Sequence, residues 1–89
     1  MKAIVTVVGK DAVGIIAAVC VELAGYNVNV LDISQTVMQG YFTMMMVVDV
    51  SAAGLPLAEL AKKLDKKGED MALSIRLQRE DIFDAMHKI

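Results

Sequence analysis

The chain has 89 residues, a formal net charge of −2, 56% hydrophobic residues, one cysteine and one histidine. That length holds one domain with a thin core, and the hydrophobic share, counted without glycine, already exceeds the roughly 45–50% that soluble domains reach with glycine included. The weak negative charge gives no general attraction to nucleic acid or anionic membrane, and the lone Cys20 and His87 leave no internal disulfide and no metal-ligand cluster.

More of the surface is therefore apolar than one small core uses, and an interface with another chain is expected. Lys2 is followed only by AIVTVV before Gly9 and charged residues, too short for a signal core or a membrane span. The reading is of a cytoplasmic protein with no membrane association, in a reducing compartment.

In chain order, residues 3–8 (AIVTVV) predict a buried strand. Asp11 is placed to cap a helix that runs to about Ala24, with Gly25 as its left-handed stop. Val13, Ile16, Cys20 and Leu23 form its inward stripe, and Gly14 falls in its first turn. Ile15, Val21 and several alanines leave the remaining faces apolar as well, so a second contact surface is expected. NVNVLDISQTV (27–37) predicts a second strand, with Gln39 and Gly40 turning the chain into a third, YFTMMMVVDV (41–50). One side of that third strand carries Phe42, Met44, Met46, Val48 and Val50, while the other still carries Tyr41, Met45 and Val47.

SAAGLP (51–56) breaks the strand pattern, and Pro56 suits the first turn of a second helix. Leu57, Leu60, Ala61 and Leu64 point inward, Gly68 ends the helix, and Lys62, Lys63, Lys66 and Lys67 form a solvated face with Glu59 four residues ahead of Lys63. MALSIRLQ (71–78) predicts a fourth strand by its alternation. In EDIFDAMHKI (80–89), Ile82, Phe83, Met86 and Ile89 share one side, with acids first and His87 and Lys88 last, which predicts a short terminal helix over 79–89.

Strand, helix, strand, strand, helix, strand is a ferredoxin-like βαββαβ order in a single domain over 1–89. It predicts a four-stranded antiparallel sheet with both helices on one face and an open face too apolar to meet water throughout.

Chemistry is sparse. GKDAVG (9–14) has the glycine spacing of a phosphate loop, but Ile15 and Ile16 stand where its Lys and Ser/Thr are needed, and no dinucleotide fingerprint is present. A turn at a helix N-terminus remains able to hold a carboxylate or other polar group. Asn27 reads as a turn residue; Asn29, deeper in an otherwise apolar strand, carries an amide that both donates and accepts, and a second strand beside the first would bring it near the turn. Cys20 reads as a structural thiol, His87 as a helix-end cation and the Met44–Met46 run as adaptable packing. No catalytic residue, metal site or cofactor is implied.

The stretch GKDAVGIIAAVCVELAGYNVNVLDISQTV resembles the signature of ACT domains, in which D-x-x-G opens the first helix and a strand beginning Asn-(Val/Ile) follows. REDIFDAMHKI resembles the ending of small stand-alone ACT proteins, similar to the ACT halves of bacterial glycine-cleavage transcriptional regulators. The resemblance covers nearly the whole chain. It implies a non-catalytic regulatory module that senses an amino acid or related metabolite at a homodimer interface and signals through a partner enzyme or regulator. It further implies that the ligand meets Asp11, Ala12, Val13 and Gly14 of the turn and Asn29 of the strand. Family sites often have asparagine near position 11, and an aspartate disfavours a neighbouring carboxylate. The alternatives are a dimerisation or adaptor module without a ligand, and RNA binding on Gly40, Tyr41 and Phe42, which Thr43, the methionines and the lack of basic residues on that strand oppose. A small acyl-phosphate hydrolase of the same fold class needs an arginine in the first loop, where Lys10 is the cation present.

Overall fold

The computed structural model describes residues 1–10 and 14–81. Its elements are β1 (Lys2–Lys10), α1 (Ile15–Gly25), β2 (Asn29–Met38), β3 (Tyr41–Asp49), α2 (Leu57–Asp70) and β4 (Ser74–Arg79). They form one four-stranded sheet in the order β2-β3-β1-β4 with every neighbouring pair antiparallel, which is the expected βαββαβ arrangement. Residues 82–89, on which the predicted terminal helix falls, lie outside the described residues.

Alternation builds the core. Ala3, Val5 and Val7 of β1 and Phe42, Met44, Met46 and Val48 of β3 are buried on one face of the sheet, and register pairs such as Val5 with Met46 and Val7 with Ile75 align them across strands. Ile15, Val19 and Leu23 of α1 and Leu60 and Leu64 of α2 close over that face. The β2–β3 hairpin turns at Gln39 (φ 49°) and Gly40 (φ 82°), the two positive φ values of a tight hairpin whose twist matches the strands.

Several boundaries differ from the sequence reading. α1 begins at Ile15, after a left-handed Gly14 (φ 79°) in the capping position; the inward stripe is accordingly Ile15, Val19 and Leu23, with Ile16 and Cys20 half-buried on its flank. Gly25 is the last helical residue, and the left-handed position belongs to Asn27 (φ 61°), a residue whose short amide tolerates it. Pro56 precedes α2 in extended conformation (φ −60°, ψ 152°). Gly68 does not end α2: it is buried inside the helix, where a Cβ would lie 2.8 Å from the Leu73 carbonyl oxygen. The close approach of helix to strand requires glycine there, and the chain turns instead at Ala72 (φ 58°). β4 correspondingly starts at Ser74 rather than Met71.

Candidate ligand-binding site

Gly14 is exposed at the N-terminus of α1, and its carbonyl accepts the Ala18 N–H at 3.0 Å. The capping residue makes no side-chain hydrogen bond and the first turn holds no acid, so the leading N–H groups of α1 have no intrahelical partner. A Cβ at Gly14 would meet nothing within 4 Å. Among the described residues the demand for glycine therefore comes from the left-handed backbone and not from a close contact. This corrects the placement of Gly14 inside the first helical turn. Asp11, Ala12 and Val13 lie outside the described residues, so the capping role of Asp11 and the inward position of Val13 lie there too.

Asn29 opens β2, exposed, in register with Asp49, and Asp49 is in register with Lys2. The Gly14 turn follows the other end of β1: Ile15 packs near Gly9, which is seven residues, or roughly 23 Å at about 3.3 Å per residue, from the level of Lys2. Within one chain the structure does not bring Asn29 to the turn. The expectation misses because β1 and β2, both antiparallel to β3, run in the same direction: Asn29 begins β2 at the level where β1 begins, whereas the turn follows the level where β1 ends.

Two groupings went unremarked in the sequence reading. At the Asn29 end, the Asp49 carboxylate accepts the Ser51 N–H at 2.9 Å and lies 3.6 Å from the Met1 ammonium, which also donates to the Ser51 hydroxyl. The Ser51 hydrogen bonds, and secondarily the ammonium, hold Asp49 below the ordinary carboxylate range. A sequence signal existed in Asp49 and Ser51, the polar residues that end an apolar strand. At the turn end, the Lys10 ammonium lies 5.7 Å from the centre of the Tyr41 ring, close enough for attraction to its face; the two residues are register partners.

Between these ends runs an apolar seam. Every residue of β2 except Val30 is exposed, with Leu31, Ile33, Val37 and Met38 the large apolar ones, and no described strand pairs with its outer edge. Val21 of α1 is 72% exposed. On the far flank of α1, Glu22 accepts a hydrogen bond from Tyr26 at 3.2 Å and lies 3.9 Å from Lys67 of α2; burial and the Glu22 charge raise the Tyr26 hydroxyl above its usual value. Lys62, Lys63 and Lys66 are exposed, as a solvated face should be. Cys20 is a half-buried free thiol. Among the described residues no group of three or more His, Cys, Asp or Glu side chains is placed to hold a metal, and no helix is long and apolar enough to cross a membrane.

Comparison with known proteins agrees with this architecture. The ACT domain family model matches residues 2–78. A UPF0237 protein of Listeria monocytogenes serotype 4b is 52% identical over 89 residues, covering all of both chains. The solved ACT domain protein from Streptococcus pneumoniae is 44% identical with a TM-score of 0.84, over 98% of each chain. A structure assigned to a glycine cleavage system transcriptional repressor shares the fold at 22% identity and a TM-score of 0.72, over 86% of this chain and 44% of that one. The chain belongs to the ACT domain family.

Proposed function

We propose that the protein is a non-catalytic regulatory module that binds a small metabolite of the amino-acid class where two copies meet, and that passes the signal to a partner enzyme or regulator. The observation that carries this reading is the separation of two candidate half-sites, the open N-terminus of α1 after Gly14 and the Asn29 corner, at opposite ends of one chain with the free β2 edge between them. If two copies join antiparallel through β2, direction reverses across the seam, and the turn of each copy lies at the end where the other carries Asn29. The exposed apolar residues of β2 and α1 support the same pairing. A ligand carboxylate then meets the helix N-terminus and the Lys10 charge, and Asn29 of the second copy meets its remaining polar groups. ACT domains commonly dimerise and bind small molecules, which supports the class of function.

The test is a thermal-shift screen of the twenty amino acids and common metabolites on the purified chain, followed by calorimetry of the hit against Asn29→Ala. A loss of roughly 1–3 kcal/mol in binding is expected if the partner of the amide is left unsatisfied. Unchanged affinity removes Asn29 from the site. A dimer that no screened compound stabilises favours the second reading, a dimerisation module without ligand, for which the exposed apolar surface of β2 and α1 is the motivating feature.

A further inference from the structure

The edge of the sheet opposite β2 carries a depression of about 330 Å³ between α2 and β4, lined by Ala61, Asp65, Ile75, Arg76, Leu77 and Gln78. We infer that it is a docking groove for an extended segment of a partner protein, which adds as an antiparallel strand beside Ser74–Leu77 and carries the order aliphatic, acidic, basic. The proposal stands apart from the ligand reading, since it uses neither the turn nor Asn29.

β4 ends the sheet, and no described strand lies beyond Ser74–Leu77; an edge of this kind is a template for strand addition. The chain folds back from α2 into β4, and the approach of Gly68 to Ile75 sets their register. Asp65 therefore lies toward Ile75 and Arg76, and Ala61, a turn earlier on α2, toward Leu77. Ile75 and Leu77 are on the side facing α2, in register with Val7 and Val5, whereas Arg76 is in register with Thr6 on the other side.

These positions dictate the occupant. An added strand alternates sides as β4 does. Its residue over Ala61 enters the gap left by a methyl group and should be aliphatic. The next lies on the other face beside Arg76 and should be acidic. The third returns to the helix side beside Asp65 and should be basic. Neither Asp65 nor Arg76 has an ion pair or hydrogen bond among the described residues, so both charges are available for cross-strand pairing.

The experiment titrates the isotope-labelled full chain with the capped peptides Thr-Val-Glu-Lys-Thr and Thr-Val-Glu-Glu-Thr, followed by amide NMR. The expected result is millimolar-range binding of the first, with shifts centred on residues 74–77 and on α2 around Ala61 and Asp65. The second peptide should bind at least about threefold more weakly. Asp65→Lys, a change at an exposed position, should reverse that preference, and Ala61→Leu should abolish binding of both while the melting temperature holds. Absence of shifts at millimolar peptide, shifts centred on β2 instead, or a preference unchanged in Asp65→Lys would each overturn the proposal.

Discussion

The two helix–strand halves of the molecule treat water differently. α2 is amphipathic: Leu60 and Leu64 are buried, Leu57 and Ala61 half-buried, and the rest of its surface carries Glu59, four lysines and three further acids. α1 buries an equivalent stripe, yet Glu22 is its one charged residue among eleven, and the β2 strand beneath it is exposed almost from end to end. A helix with an apolar outer face stabilises the monomer no further and exposes surface to solvent. The contrast is the one the proposed pairing predicts: the α1–β2 half leaves an apolar surface for a second copy of the chain, whereas the α2–β4 half presents a charged one.

The comparison can be sharpened at four depths. The inner stripes should be equivalent: Leu23→Ala and Leu64→Ala, both fully buried, should each cost about 2–5 kcal/mol in chemical denaturation, and a much smaller loss for Leu23 would show that α1 packs loosely. The outer surfaces should not be equivalent. Ile33→Lys, which places a charge on the β2 seam, should weaken self-association by roughly 100-fold in sedimentation equilibrium, whereas Lys66→Glu should leave it unaltered; equal effects would erase the distinction between the halves.

A smaller effect concerns Gly14. Its left-handed backbone makes Gly14→Ala destabilising by about 1–2 kcal/mol, opposite in sign to what a residue inside the helix would give; a melting temperature that rises in this variant would contradict the cap assigned here. The smallest concerns Asp49. Its carboxyl is held below the ordinary range by Ser51, so its contribution is present above the unfolded-state value and is lost as pH falls through the folded one. Asp49→Asn should therefore flatten the acid limb of the stability–pH curve below about pH 4, a change visible in melting temperatures over that range, while neutral-pH behaviour shifts only slightly.

Much of this fold was legible in residue patterning. The alternation of Phe42, Met44, Met46 and Val48, the Gln39–Gly40 turn and the Leu60–Leu64 stripe all occupy their expected places, because periodicity and turn chemistry act over a few residues. Errors arose where a local signal had two readings that only tertiary packing separates. Gly68 looks like a helix stop, but it is the point where α2 touches β4. Gly25 looks like a left-handed cap, but Asn27 fills that role. The phase of α1 shifted by one residue because the helix waits for Gly14. For the candidate site, the turn and Asn29 were readable as chemistry, but their placement was not. Whether they meet depends on strand direction, and β1 and β2 run the same way, so Asn29 and the turn fall at opposite ends.

The central claim, that one ligand site is shared between two chains, is tested most directly by mixing variants. Gly14→Ala, by straining the left-handed backbone at the helix N-terminus, and Asn29→Ala, by removing the amide, should each damage one half-site. After the two are unfolded together and refolded as an equimolar mixture, one of the two ligand sites in each mixed dimer is intact and the other doubly damaged. With a ligand found in the thermal screen, calorimetry should show little binding to either variant alone. In the mixture it should show wild-type affinity at about one quarter of the wild-type stoichiometry, because half of the dimers are mixed and each regains one of two sites. A mixture that binds no better than the separate variants, while sedimentation shows that mixed dimers have formed, would contradict the account.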